Sequence, residues 1–112
     1  MPVTYSLFML VRATPAWLAL PPPERSGWFD RIVRPLLARR PAVRLRYFDA
    51  EFFHARISDV MLWQTGDLDA WRALVEDLRE TPFWGHYFEV LEIVPTVEDA
   101  WSTHYGAAPA GG

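Results

Sequence analysis

Asp59 is the residue in this chain best placed to do chemistry. It falls in the alternating run from Ile57 to Met61, a strand pattern, on the face expected to meet helices. A carboxylate held there without a partner loses hydration and its pKa rises, which is what a general acid or base working near neutral pH requires. The structural alternative is an ion pair or a hydrogen bond from Tyr47, since structural pairs perturb pKa as well. If the loop between the two strands is centred near Phe53, Tyr47 lies opposite Asp59, Leu45 opposite Met61 and Val43 opposite Trp63. In a catalytic reading Asp59 is acid or base and Tyr47 orients it. Arg46 then stabilises developing negative charge and His54 serves as an auxiliary proton carrier.

The other polar candidates carry plainer readings beside the functional ones. Arg44 and Arg46 project from the opposite strand face. With Arg56 they have the donors to grip a carboxylate or enolate, or to blunt an exposed edge strand or pair across a dimer. Asp49 and Glu51 flank the hairpin loop, where organising the loop or pairing with Arg56 is the expected role. His54 and His86 are expected at opposite ends of the sheet, and His104 near the C-terminal end. No two histidines share a ligand spacing on one element, so no metal site is expected. Trp63, Trp71, Phe83, Trp84 and Tyr87 gather near the second long helix. They are core by default, and with Arg56 they form the candidate ligand-binding set if a flat cavity lies between sheet and helices.

The elements that must position these residues follow from periodicity. Tyr5 to Arg12 is apolar on both sides, the mark of a central strand. Thr14-Pro15 opens a short turn carrying Trp17, Leu18 and Leu20, which Pro21-Pro22-Pro23 stops. Trp28, Phe29, Ile32, Val33, Leu36 and Leu37 recur at helical spacing up to Arg39-Arg40-Pro41, with Pro35 inside. Val43 to Asp49 and Arg56 to Gln64 form a hairpin. Asp67 caps a helix whose stripe is Leu68, Trp71, Leu74, Val75 and Leu78, ended by Thr81-Pro82. Tyr87 to Val94 is the fourth strand, and Thr96 with Asp99 resembles a capping box for a short last helix. The order strand-helix-strand-strand-helix-strand predicts an α+β, ferredoxin-like βαββαβ domain over 1–105: a four-stranded antiparallel sheet, strands 1 and 3 central, both helices on one face. The tail 106–112 is expected to be mobile. The other sheet face keeps an apolar patch with Phe8 or Leu7, Phe48, Leu62, and Val90 or Leu91, so a homodimer packed sheet on sheet is expected.

Composition narrows the function classes. At 112 residues with 51% hydrophobic and 15% aromatic content, the chain is a single globular domain. Net charge is −3 and every basic side chain is Arg, which argues against a nucleic-acid partner. The chain contains no Cys, hence no disulfide and no thiolate nucleophile, consistent with a cytoplasmic protein. The apolar run Leu7 to Val11 is too short for a membrane span, and no basic leader with a cleavage site accompanies it. No Gly-rich phosphate loop, nucleophile elbow or Ser-His-Asp spacing is present, so cofactor-free chemistry is expected.

The segments FMLVRATPAWLAL, RPLLARRPAVRLRYFDAE, ARISDVMLWQT and LVEDLRETPFWGHYFEVLEIVPTVEDAW resemble the darcynin family from about Tyr5 to Trp101. The resemblance implies a small bacterial protein of the dimeric α/β-barrel type, and brings no catalytic residues with it. The Pro21 to Pro23 insert and His54 are individual to this chain. Wider proteins of this barrel type include cofactor-free monooxygenases, lactone isomerases, polyketide cyclases and haem-degrading enzymes, an analogy of fold alone. Those acting on quinol-like or haem substrates often use an Asn, and this chain has none. The expected function is binding of a small, hydrophobic or aromatic organic molecule, with a cofactor-independent isomerase, cyclase or monooxygenase as its catalytic form. The alternative is a non-catalytic binding or dimerisation module.

Overall fold

In the computed structural model, which describes residues 3–111, β1 (Tyr5–Ala13) occupies the middle of the sheet, as its two apolar faces require. Thr14 ends it and caps α1 (Pro15–Leu18), its side chain accepting from the Trp17 N–H. The three prolines do more than stop that turn. Pro21 is the cap of α2 (Pro22–Arg39), with Pro22 and Pro23 in its first turn, where a missing N–H has no intrahelical partner to lose. β2 (Val43–Asp49) and β3 (Asp59–Thr65) make the hairpin, and α3 (Leu68–Arg79) is capped by Asp67, whose carboxylate accepts from the N–H groups of Asp69 and Ala70 at 3.0 and 3.1 Å.

β4 (Phe88–Val97) runs three residues beyond the expected end, through Pro95, because it is an edge strand whose outer side has no ladder bond for proline to break. The capping box therefore does not form. Thr96 is still in the strand and its hydroxyl donates to the Ser6 carbonyl at 2.6 Å. Asp99 has a left-handed backbone (φ 47°) before α4 (Ala100–Tyr105), and its carboxylate accepts from Ala110 N–H. The expected domain bounds and tail include residues 1, 2 and 112, which lie outside the described residues.

The sheet order is β2-β3-β1-β4, antiparallel throughout, the predicted ferredoxin-like topology. The hairpin register differs from the expected one by two residues: Asp49 pairs with Asp59, Tyr47 with Met61 and Leu45 with Trp63. A slip of two preserves which face each side chain takes, so the faces stand while the neighbours change. Leu7, Met9, Val11, Met61 and Trp63 meet Trp28, Val33 and Leu36 of α2 and Leu74 and Leu78 of α3 in one buried core, joined by Phe83 and Phe88. Val90 belongs to this face, opposite Val11, and Leu91 is the extra residue of a bulge in β4. On the other face stand Ser6, Phe8, Leu10, Val60, Leu62, Phe48 and Val94, the last two 43% and 38% exposed.

Candidate functional site

β2 ends and β3 begins at the same end of the sheet as Ala13 of β1, and α1 and the N-terminal half of α2 arch over that corner. A half-open cavity of about 450 Å³ lies there, with Asp59, Asp49, Tyr47 and Glu51 on the sheet and hairpin side and Trp17, Ser26 and Phe29 on the helix side. Its size is that of a pocket for a small organic molecule.

Asp59 is the buried acid of this corner, only 6% exposed. Ser58 organises it through a short relay. The Ala13 N–H donates to Ser58 Oγ at 2.7 Å, and Ser58 Oγ donates to Asp59 Oδ2, also at 2.7 Å. Burial raises the pKa of Asp59 from 3.8 to about 6, the Asp49 carboxyl adds to the rise, and the hydrogen bonds of Ser58 and Tyr47 restrain it. Residues directly opposite on paired strands have Cβ atoms roughly 5 Å apart, so two like charges repel unless a proton or a cation stands between them. Tyr47, 38% exposed at the cavity mouth, is held protonated by loss of hydration and then by the charges of Asp59, Asp49 and Glu51, all of which push its pKa up. It packs edge-on against Phe29, with ring centres 5.5 Å apart.

Thus Asp59 and Tyr47 share one face and one cavity, although they are not directly paired. Arg46 does not join them. It lies on the opposite face, its guanidinium over the Phe48 ring at 5.3 Å, so within one subunit the sheet separates it from Asp59. His54 is an organiser of the hairpin loop: its Nδ1 accepts from the N–H groups of Arg56 and Ile57 at 3.1 and 2.8 Å. The loop also folds on the Ala50 carbonyl, which takes the N–H groups of Phe53 and His54. Neither Asp49 nor Glu51 pairs with Arg56 among the described residues, and Arg56 is exposed.

His86 precedes the start of β4, which is antiparallel to β1 and so begins at the hairpin end, the same end as His54 and not the opposite one. The two remain on opposite edges of the sheet, about 14 Å apart at the usual strand spacing. No group of metal-ligating side chains forms among the described residues.

The aromatic set near α3 builds the core and its margin, with Trp71, Trp84 and Tyr87 half-buried. Trp63 and Phe83 are fully buried, Trp71 leans on Trp63 at 5.5 Å, Trp84 lies under the Arg79 guanidinium, and Tyr87 meets Trp17 and Trp28. None of the five lines the cavity. The aromatic walls come from Trp17 on α1 and Phe29 on the apolar stripe of α2, neither of them among the candidate binding residues of the sequence. The readable signal was on α2, where Phe29 and Leu37 flank the stripe of Trp28, Val33 and Leu36 that reaches the core, making the apolar face wider than one packing contact requires.

Comparison with known proteins agrees with this architecture. A family model described as "Darcynin, domain of unknown function" matches residues 2–111. The chain is 45% identical over 109 residues to a darcynin homologue of Streptomyces avermitilis, covering 96% of this chain and 88% of that one. It is 43% identical over 102 residues to one of Granulibacter bethesdensis, covering 90% and 82%. Among solved structures, a variant of chlorite dismutase from Candidatus Nitrospira defluvii superposes with a TM-score of 0.72 at 11% identity, over 94% of this chain and 44% of that one. The chain spans less than half the length of that structure, and the likeness is one of fold.

Proposed function

The chain belongs to the darcynin family, and from that premise we propose that it binds a small, partly aromatic organic molecule in the cavity beneath α1 and α2 and moves a proton on it without a cofactor. The observation that carries this reading is a carboxyl more than nine-tenths buried that nevertheless lines an open cavity. With a pKa of about 6 it exchanges protons near neutral pH, the working range of an acid–base catalyst of the isomerase or cyclase kind. Tyr47, protonated throughout that range, donates to Asp59 and orients it. Asp49, not Arg46, is the charged neighbour that tunes Asp59.

Thermal-shift measurement with indole-, phenol- and naphthalene-type compounds tests the binding step. At least one is expected to raise the melting temperature by several degrees, and Ser26→Trp, which fills the cavity from an exposed helix position, to abolish the rise. No shift with any of them, or an equal shift in Ser26→Trp, refutes the reading. For a compound that is also converted, Asp59→Asn is expected to keep the native fold and lose about 100-fold or more in rate at saturating compound. Full activity in that variant removes Asp59 from the mechanism.

The proposal includes a homodimer packed sheet on sheet. The face away from the helices has an apolar middle, with Phe8, Leu10, Val60 and Leu62, between a basic rim on β2 (Arg44, Arg46) and an acidic rim on β4, where Glu92 stands beside Glu89, itself paired with Arg12 at 3.3 Å. A twofold axis along the strands sets the basic rim of one copy over the acidic rim of the other. Light scattering is expected to give twice 13.0 kDa for the native chain and 13.0 kDa for Leu10→Glu. A native monomer at micromolar concentration refutes it.

A further inference from the structure

The cavity's charge and shape point to the class of its ligand, an inference that rests on the small-molecule reading above. We infer that the cavity takes an organic amine, a protonated nitrogen on a short tether to a flat apolar body, with the nitrogen at Asp49 and Asp59 and the body against the wall formed by Trp17 and Phe29.

Asp49 and Asp59 are directly paired across β2 and β3 at the cavity wall, with Glu51 beyond them in the hairpin loop. Among the described residues none of the three forms an ion pair. Asp59 accepts from Ser58 on Oδ2 and also from Tyr47, and its remaining contact is with the Asp49 carboxyl, the contact that an ammonium replaces. A nitrogen about 2.8 Å from an oxygen of each carboxylate takes the place of the contact the two carboxyls make with each other. An ammonium there replaces the proton that the two acids otherwise compete for.

The cationic side chains of the lining are turned to other partners. Arg25 donates through Nε to the Leu20 carbonyl at 2.9 Å and through Nη2 to the Leu18 carbonyl at 3.2 Å. Arg34 donates to Asp30 at 2.6 Å. The groups facing Asp59 are therefore Asp49 and Tyr47 of β2, Glu51 of the loop and Ser58 before β3, with the two engaged arginines of α2 across the cavity. This set favours a cation and opposes a carboxylate. The arginines expected to hold an anion, Arg44 and Arg46, face away. Opposite the acids, Trp17 and Phe29 stand with ring centres 6.3 Å apart and nearly perpendicular, offering apolar walls and an aromatic face to the charge.

Calorimetric titration of the full chain with 2-phenylethylamine, 2-phenylethanol and 3-phenylpropanoate separates charge from shape, because ring and tether are held nearly constant. At pH 7 the amine is expected to bind at least tenfold more tightly than the alcohol, and the carboxylate least. Between pH 7 and pH 5, as Asp59 takes up its proton, the amine is expected to lose about tenfold in affinity and the alcohol none. Asp59→Asn, with circular dichroism confirming the native fold, is expected to bind amine and alcohol alike. Binding of the alcohol or the carboxylate as tightly as the amine overturns the amine assignment and keeps the small-molecule reading. An amine preference that survives in the double variant Asp49→Asn, Asp59→Asn also overturns it. Binding of none of the three overturns it too, and the cavity reading then stands or falls on the broader aromatic panel.

Discussion

Replacing Asp59 by asparagine is expected to make the protein more stable at neutral pH, the opposite of the usual result for a buried residue. The carboxyl has a pKa of about 6 in the folded protein against 3.8 when solvated, so the folded state holds its proton more tightly than the unfolded chain does. The stability that protonation provides is fully present below about pH 4 and is lost as the pH rises through 6. A difference of about two pKa units at about 1.4 kcal/mol each corresponds to roughly 3 kcal/mol. Because the cavity admits water, screening reduces this to about 1.5–2 kcal/mol. The asparagine side chain has the same outline, keeps an acceptor for Ser58 Oγ and carries no charge. Urea unfolding followed by tryptophan fluorescence at pH 4, 5, 6 and 7.5 measures the difference between the two proteins, in which the carboxyls remote from Asp59 cancel and only its neighbour Asp49 shares in the difference. The curves should coincide near pH 4, separate between 4 and 6, and stay about 1.5–2 kcal/mol apart above that, with the variant melting about 6–8 °C higher at pH 7.5. A variant less stable at pH 7.5, or a difference independent of pH, refutes the account of Asp59 as a destabilising buried acid. A carboxylate kept at that expense is one retained for what it does in the cavity.

Asp49→Asn removes the like charge opposite Asp59, and carbon-13 titration of the Asp59 carboxyl should show its pKa falling from about 6 toward the ordinary carboxylate range. Leu78→Ala leaves a void where a fully buried α3 side chain meets the core, and urea unfolding should show a loss of about 2–5 kcal/mol without effect on the cavity. Asp67→Ala strips the two N–H groups of the α3 cap of their acceptor and should cost about 1 kcal/mol, read by the same method. The Asp67 and Leu78 variants should retain whatever binding the native protein has, since neither residue lines the cavity.

Strand alternation and helical spacing determined the topology, because each is a local period that the chain obeys wherever it packs. The two-sided run at β1, the Asp67 cap and the hairpin of β2 and β3 were all readable from residue types. So was the common face of Asp59 and Tyr47, since parity survives a register shift of two. Which residue stands across from Asp59 was not readable. That depends on how residues 50–58 turn, and there the Ala50 carbonyl and the His54 ring absorb the loop's N–H groups and set Asp49, in place of Tyr47, against Asp59. The cavity was equally a tertiary outcome. Periodicity says that α2 has a wide apolar face, but only the angle at which it crosses the sheet decides that Phe29 lines a space while Trp28 fills the core. The same assembly put the tryptophans near α3 in the core and its margin and Arg46 behind the sheet, because a side chain's neighbours are set by elements distant in sequence, whose approach no local pattern encodes.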